Sequence, residues 1–496
     1  MNTYDFDVII LGCGPVGATL GNLLGSMDVR TCIVERDTTA HALPRAGHFD
    51  DEVMRVWQTI GLSGAMQPDV RVNPGMTFIG QNGERLLHWP RPMEVGSQAW
   101  HPSYRFHQPA LEATLRQGLT RFADVRVMLG CEVIAIAPNV DRVELTRLAE
   151  GGERRLTARY LVGCDGGKSA VREAIGTTME DLGSHERWLV VDVLLKRPRD
   201  DLGDFTIQYC DPGRPTTYGR GVGDRSRWEL MVLPEDDADA IARPESVWRL
   251  LSRWITPEDA DIERATVYTF HGLIAREWRR GRLLIAGDAA HLMPPFLGQG
   301  MCSGVRDASN LAWKLARVIR DNADPALLDT YQKERSPHVR EYVELAMRLG
   351  AMVQTRDPER ARERDAALAR DPQVLKSIKP RLGESTLAIA DGAGGQLSEQ
   401  IRLRDGALLD DTVGNRFALL LRAQFAAGLS PTLLAEAKAA GVAVLADEGE
   451  AYLTALGVEG ALIRPDRYVL ATIDTPEDLA AAVATIDGLV GEVEPA

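Results

Sequence analysis

The residues with the plainest chemistry lie near the N-terminus. Gly12, Gly14 and Gly17 are spaced Gly-x-Gly-x-x-Gly, with Cys13, Pro15 and Val16 between them, and an acidic residue, Glu35, follows at a distance suited to a dinucleotide site. The first glycine permits a tight turn, the second removes a Cβ so that backbone can approach a pyrophosphate, and the third allows close helix packing. Glu35, with Arg36 beside it, is placed to accept hydrogen bonds from adenosine ribose hydroxyls. These roles need a strand before the turn and a helix after it. Asp5 to Leu11 is a short apolar run, Ala18 to Leu24 has helical spacing, and Val29 to Val34 reads as a second strand ending on Glu35. The unpaired N–H groups at that helix start complete an anion site. This motif implies a dinucleotide but does not separate FAD from NAD.

Two later segments bear on that choice. Tyr160 to Val162 is an apolar strand running into Gly163-Cys164-Asp165-Gly166, and Leu283 to Ala286 runs into Gly287-Asp288. Asp288 at a strand end can accept hydrogen bonds from a ribitol chain. Pro294 and Pro295 then precede Gly298-Gln299-Gly300-Met301, where a helix begins. Its N-terminus carries roughly half a positive charge, which suits an anionic ring edge. The carbonyls of the two prolines have no competing N–H of their own. His291 reads as a buried structural histidine.

With these segments in this order, the chain resembles the class A flavoprotein aromatic hydroxylases. The segment from Trp278 to Lys314 is similar to the branch containing 3-(3-hydroxyphenyl)propionate hydroxylase. The resemblance implies that the glycine fingerprint, Asp165 and the Gly287-Asp288 segment converge on FAD. It further implies that Arg45, in Pro44-Arg45-Ala46-Gly47, contacts the cofactor, and that Gln108, in Arg105-Phe106-His107-Gln108-Pro109, lies beside the flavin. The implied fold is α/β. A Rossmann-like FAD-binding domain occupies 1–180 and 276–350, with an inserted antiparallel-sheet substrate domain at 181–275 and part of the substrate wall near 70–105. A helical connector at 351–394 and a thioredoxin-like domain at 395–496 follow. That last region has no cysteine, which excludes thiol redox chemistry and leaves a structural or dimerising role.

Period-two alternation at Trp188 to Val193 and Trp228 to Leu233 marks the inserted sheet. Tyr218 and Arg220 fall on its central portion, and Arg220 sits where carboxylate-binding relatives place an arginine, a side chain suited to bidentate pairing. With His48 and Pro294 they are the candidate catalytic residues. The resemblance implies a monooxygenase that uses NADH or NADPH and dioxygen to hydroxylate a phenolic acid ortho to its hydroxyl through a flavin C4a-hydroperoxide. The expected substrate is 3-(3-hydroxyphenyl)propionate or a close analogue. A resorcinol-type phenol, an aromatic polyketide, or a noncatalytic flavoprotein module are the alternatives. No second dinucleotide fingerprint occurs, so the nicotinamide would bind transiently.

Bulk properties fit this reading. The 496 residues are 45% apolar and 26% charged, ordinary for a globular chain of several domains. A net charge of -14 is the wrong sign for nucleic acid or an anionic membrane surface. Residues 401–496 hold 15 acidic and 7 basic side chains, so much of the surplus lies away from the proposed site. No secretory or spanning segment is expected, and the six cysteines lack metal spacing; a cytoplasmic protein without metal is expected.

Overall fold

A computed structural model describes residues 4–39, 45–149, 152–370, 373–387 and 392–489. Its first sheet has eight strands, and the parallel strands at its centre are Thr31–Val34, Phe6–Leu11, Gly152–Gly163 and Leu283–Ile285. Thr31–Val34 and Leu283–Ile285 are buried along their whole length, and Phe6–Leu11 along nearly all of it. This is why they read as continuous apolar runs, since helices cover a parallel sheet on both sides. The helix Pro15–Ser26 starts with proline at a position that needs no N–H donor, and crosses the long helix Gly300–Arg320 closely. The crossing depends on Gly304, where a Cβ would stand 2.5 Å from Val16 and 3.0 Å from the Gly287 Cα.

The second sheet has nine strands. Met179–Leu195, Arg225–Met231, Thr216–Arg220 and Ala260–Ala275 are antiparallel neighbours, as the alternation predicts. The sheet also takes in Gly75–Ile79, which pairs in parallel with Thr206–Tyr209, and Arg85–Pro90 beyond it. It is therefore mixed rather than purely antiparallel, because two of its strands come from a remote part of the chain. One face, with Leu189, Val191, Tyr218, Trp228 and Leu230, packs in a core with Val247 and Leu251 of the helix Pro244–Leu251. Alternation places Trp188, Val190, Asp192, Thr217, Gly219, Arg227 and Glu229 on the opposite face.

The C-terminal unit is a four-stranded sheet in the order Val442–Ala446, Phe417–Leu421, Gly460–Ile463, Val469–Ile473. Its first pair is parallel and the other two are antiparallel. Helices Pro431–Ala439 and Pro476–Asp487 flank it. Buried ions join this unit to the rest. Arg464 reaches Glu334 at 2.8 Å and Asp466 at 2.7 Å, while Lys314 reaches Glu334 at 2.7 Å. Arg55 pairs with Asp410 at 2.7 Å, and the Tyr468 hydroxyl donates to Glu52 at 2.6 Å. Burial alone would raise the Glu334 carboxyl, but Arg464 and Lys314 hold it well below the usual carboxylate range. Its contribution is therefore complete at neutral pH and is lost only in strong acid. No helix among the described residues is long and apolar enough to cross a membrane.

Arg464→Met leaves Glu334 and Asp466 buried without their shared guanidinium. The variant is expected to lose about 3–5 kcal/mol of unfolding free energy in denaturant titration. An unchanged midpoint would show that this ion does not hold the C-terminal unit in place.

Candidate active site

The strand registers bring the sequence motifs together. Leu11 is level with both Val34 and Gly163, and Gly163 is level with Ile285. The turns that follow, Gly12 to Gly17, Glu35, Asp165 and Gly287-Asp288, therefore all emerge from one edge of the sheet, at the carboxyl ends of its strands.

Within the first turn the glycines divide their labour. Gly12 has φ +101, and a Cβ there would lie 2.4 Å from the Cys164 carbonyl oxygen. A Cβ on Gly17 would lie 2.0 Å from the Gly12 oxygen, whereas one on Gly14 would meet nothing within 4 Å. Gly12 and Gly17 are needed to build the turn; Gly14 keeps the space beside it empty. The Glu35 carboxylate accepts from the Cys13 N–H at 2.7 Å and from the Asp37 N–H at 2.9 Å, so it is fixed beside the glycine turn. Arg36 is exposed and, among the described residues, reaches Asp37 at 3.4 Å. Arg116, which the motif spacing does not reveal, donates to the Cys13 carbonyl at 3.1 Å from a helix about a hundred residues downstream.

Asp165 accepts from the Ala170 and Val171 N–H groups with Oδ2. Its Oδ1 is buried without a hydrogen-bond partner among the described residues, and burial pushes the carboxyl up. Asp288, expected at a strand end, lies in the short turn Gly287–Ala289 that follows the strand Leu283–Ile285, and is exposed. Gly287 has φ +62 and donates its N–H to Asp307, which also bonds His291 at 2.6 Å and Arg335 at 2.9 Å. His291 thus braces this turn from inside the core.

Other sequence candidates gather around Gly298. The Gln108 Oε1 accepts from the Arg45 and Ala46 N–H groups at 2.6 and 2.8 Å, and its Nε2 donates to Glu112. Gln108 therefore holds the Arg45 loop, with both ends of its amide engaged. The Arg45 side chain is exposed, while Pro44 lies outside the described residues. His48 donates from Nδ1 to the Gly298 carbonyl at 3.2 Å and accepts at Nε2 from Ser103 at 2.8 Å. Burial and the charge of Arg91 push its pKa down to about 4, so the ring is neutral at physiological pH. Pro294 is buried in extended conformation, Pro295 opens the short turn Pro295–Leu297, and Gly298 has φ +65. The helix then starts at Gly300, with Met301 in its first turn and no side chain capping its N–H groups. That leaves orphan donors for an anionic group. Behind this helix end, Arg306 bonds Asp50 and Glu52, each at 2.5 Å, and Gln299 bridges Asp50 and Arg306. Burial would raise Asp50, but Arg306 outweighs it and brings the carboxyl down to about 2. The sequence reading missed this cluster, which no local spacing marks.

Two candidates are not brought to the site. Tyr218 points into the core behind the sheet, its ring 4.9 Å from Trp228, and Arg220 shares that face and pairs with Asp204 at 3.1 Å and Asp200 at 3.7 Å. The strand was legible, but a one-residue difference in alternation decides which face a side chain takes. The face toward the Arg45 loop carries Arg227, whose guanidinium donates to the Arg45 carbonyl at 3.2 Å and to Asp192 at 2.7 Å. In the next strand Gly219 stands level with Arg227, and a Cβ on it would meet nothing within 4 Å.

The model of a family described as FAD binding domain matches residues 5–346. The chain belongs to that family. It is a flavoprotein aromatic hydroxylase, similar at 40% identity to a probable NADH-specific resorcinol 4-hydroxylase of Rhodococcus jostii (strain RHA1), over 73% of this chain and 68% of the relative. It is also 37% identical to a 3-(3-hydroxy-phenyl)propionate/3-hydroxycinnamic acid hydroxylase of Mycolicibacterium smegmatis (strain ATCC 700084 / mc(2)155), over 84% and 76% of the two chains. Among solved structures, the flavin-dependent monooxygenase PieE in complex with FAD and substrate shares the fold, with TM-score 0.84 and 20% identity over 97% of this chain and 99% of that one. Aklavinone-11 hydroxylase with FAD and aklavinone gives TM-score 0.80 and 22% identity over 98% and 99%.

The flavoprotein's own residues fit FAD: the space at Gly14, the orphan Asp165 oxygen and the uncapped helix start are all unmet requirements that a dinucleotide can meet. Gly14→Val is expected to leave the thermal midpoint of the apoprotein nearly unchanged while sharply lowering FAD retention on purification. Gly17→Ala should lower both, because its Cβ collides with backbone. Equal FAD content in Gly14→Val and wild type would place the pyrophosphate elsewhere.

Proposed function

We propose that the protein is a single-component monooxygenase that uses NADH and dioxygen to hydroxylate a small phenol ortho to its hydroxyl. Bound FAD supplies hydride acceptance and oxygen activation. The chain's tasks are to hold that group, orient the ring and keep water out. Glu35 is assigned to the adenosine ribose and Gly14 to Gly17 to the pyrophosphate. Arg45, Asp165 and Asp288 are assigned to the middle of the cofactor. Pro294, Pro295 and the donors at Gly298, Gly300 and Met301 are assigned to the ring end, with His48 bracing Gly298. An apolar cluster of Trp188, Phe296, Leu297 and Tyr342 closes one side, with Trp188 and Phe296 edge to face at 5.6 Å.

The finer identity of the substrate turns on one observation. Arg220, the arginine that favoured a phenolic acid, is turned from the site and engaged by Asp204. Arg227, on the right face, is already held by Asp192 and the Arg45 carbonyl. This supports a neutral phenol of the resorcinol type over 3-(3-hydroxyphenyl)propionate. The name of the NADH-specific relative likewise supports NADH as donor. The division into a discontinuous FAD domain, an inserted substrate sheet, a connector and a C-terminal unit belongs to the same proposal. A thioredoxin-like C-terminal unit is supported by its strand order and directions. Six free cysteines accord with a cytoplasmic location.

A phenol panel tests this reading by NADH oxidation, oxygen uptake and product mass. Resorcinol is expected to stimulate NADH oxidation and yield a product with one added oxygen, and more efficiently than 3-(3-hydroxyphenyl)propionate. A flavin-loaded protein inert to the whole panel would contradict the proposal and favour a noncatalytic flavoprotein.

A further inference from the structure

On the face of the second sheet that carries Arg227, Glu229 has no hydrogen bond among the described residues. Glu229 lies between Arg227 and Met231 on the same strand. Arg227 is tied to the Arg45 loop, and Met231 packs in the cluster that contains Trp188 and Phe296. Glu229 therefore looks into the space bounded by the Arg45 loop and the Pro294–Leu297 segment. Its side chain is 14% exposed and makes no hydrogen bond among the described residues; it pairs with Arg227 at 3.9 Å. One strand away, level with Arg227, a Cβ on Gly219 would meet nothing within 4 Å. Thr217, level with Glu229, donates its hydroxyl to Gln208 at 2.7 Å and so does not compete for the carboxylate.

We propose, resting on the hydroxylase reading above, that Glu229 accepts the hydrogen bond of a substrate hydroxyl, so that the pocket selects neutral dihydroxybenzenes over phenols with a carboxylate tail. Arg227, Asp192 and Arg264 are the charged groups that act on it; Asp192 takes Arg227 at 2.7 Å and Arg264 at 2.6 Å. Tyr268 accepts from Arg264 at 3.2 Å, and Arg45 meets Arg227 through its carbonyl. With Glu229 ionised, Arg227 and Arg264 are matched by Asp192 and Glu229, and the Glu229 charge itself opposes an anionic tail beside it. Burial, only partly offset by Arg227, raises the Glu229 carboxyl. The accepting, ionised form is thus lost at a higher pH than for an exposed glutamate.

The test is a titration of the FAD-loaded protein with resorcinol and with 3-(3-hydroxyphenyl)propionate, following the flavin absorbance from about pH 5 to about pH 8. Wild-type affinity for resorcinol is expected to rise with pH through the Glu229 titration. Glu229→Gln should bind resorcinol ~10-fold more weakly, with a flat profile, since hydrogen bonds to charged groups are the stronger ones. The same variant should bind the carboxylated phenol better than wild type, and Glu229→Asp should restore the pH dependence. Wild-type affinity and profile in Glu229→Gln would overturn the proposal. Gly219→Leu fills the adjoining space and is expected to block both ligands while retaining FAD; unimpaired binding would also overturn it, whether or not Glu229→Gln folds. If wild type hydroxylates a phenol but neither variant alters binding, Glu229 has no such role and the hydroxylase reading stands. If no phenol perturbs the flavin or is hydroxylated, both fall.

Discussion

The whole site depends on four parallel strands ending level with one another. Val34, Leu11, Gly163 and Ile285 form a row by register, so segments separated by more than a hundred residues leave the sheet at one edge. Steric necessity keeps them there. Gly12 and Gly17 let the first turn fold against the Cys164 backbone, and Gly287 and Gly304 let the Pro15–Ser26 and Gly300–Arg320 helices meet. Larger side chains at these positions would push apart the turns that have to converge on a cofactor.

The Gly300–Arg320 helix carries that arrangement to the remainder of the chain. Its start is uncapped and follows the Pro295–Leu297 turn, and its second turn supplies Arg306 to the Asp50 and Glu52 carboxylates. Further along, Asn310 and Lys314 meet Glu334, which Arg464 of the C-terminal unit also holds. Tyr468 from the same unit bonds Glu52. The C-terminal sheet thus buttresses, through buried ions, the helix whose first turn is uncapped. Buried pairs of this kind contribute little net stability but are costly to break one partner at a time, and they fix a particular alignment.

The glycine turns and Asp288 were legible because their requirement is local: a strand, a turn without a Cβ, and a helix start announce themselves in order. Gln108 engages the Arg45 loop with its amide, a contact across more than sixty residues that no local spacing announces. The face that Arg220 takes, with Asp204 and Asp200 as its partners, was not legible because strand membership does not state which face a side chain occupies. Glu229 was hidden for the same reason. The Asp50–Glu52–Arg306 cluster was illegible because its charges look like surface residues until tertiary packing buries them.

The account reduces to one claim about geometry: the phenol lies between the Glu229 face of the second sheet and the cofactor end at Pro294–Gly298. A crystal structure of the FAD-loaded protein with resorcinol tests it most directly. The account predicts a substrate hydroxyl within hydrogen-bond distance of Glu229, the ring over the space beside Gly219, and the flavin's pyrimidine edge at the start of the Gly300–Arg320 helix. A ring bound on the Tyr218 and Arg220 side of the sheet, or a flavin away from the row of strand ends, would contradict it.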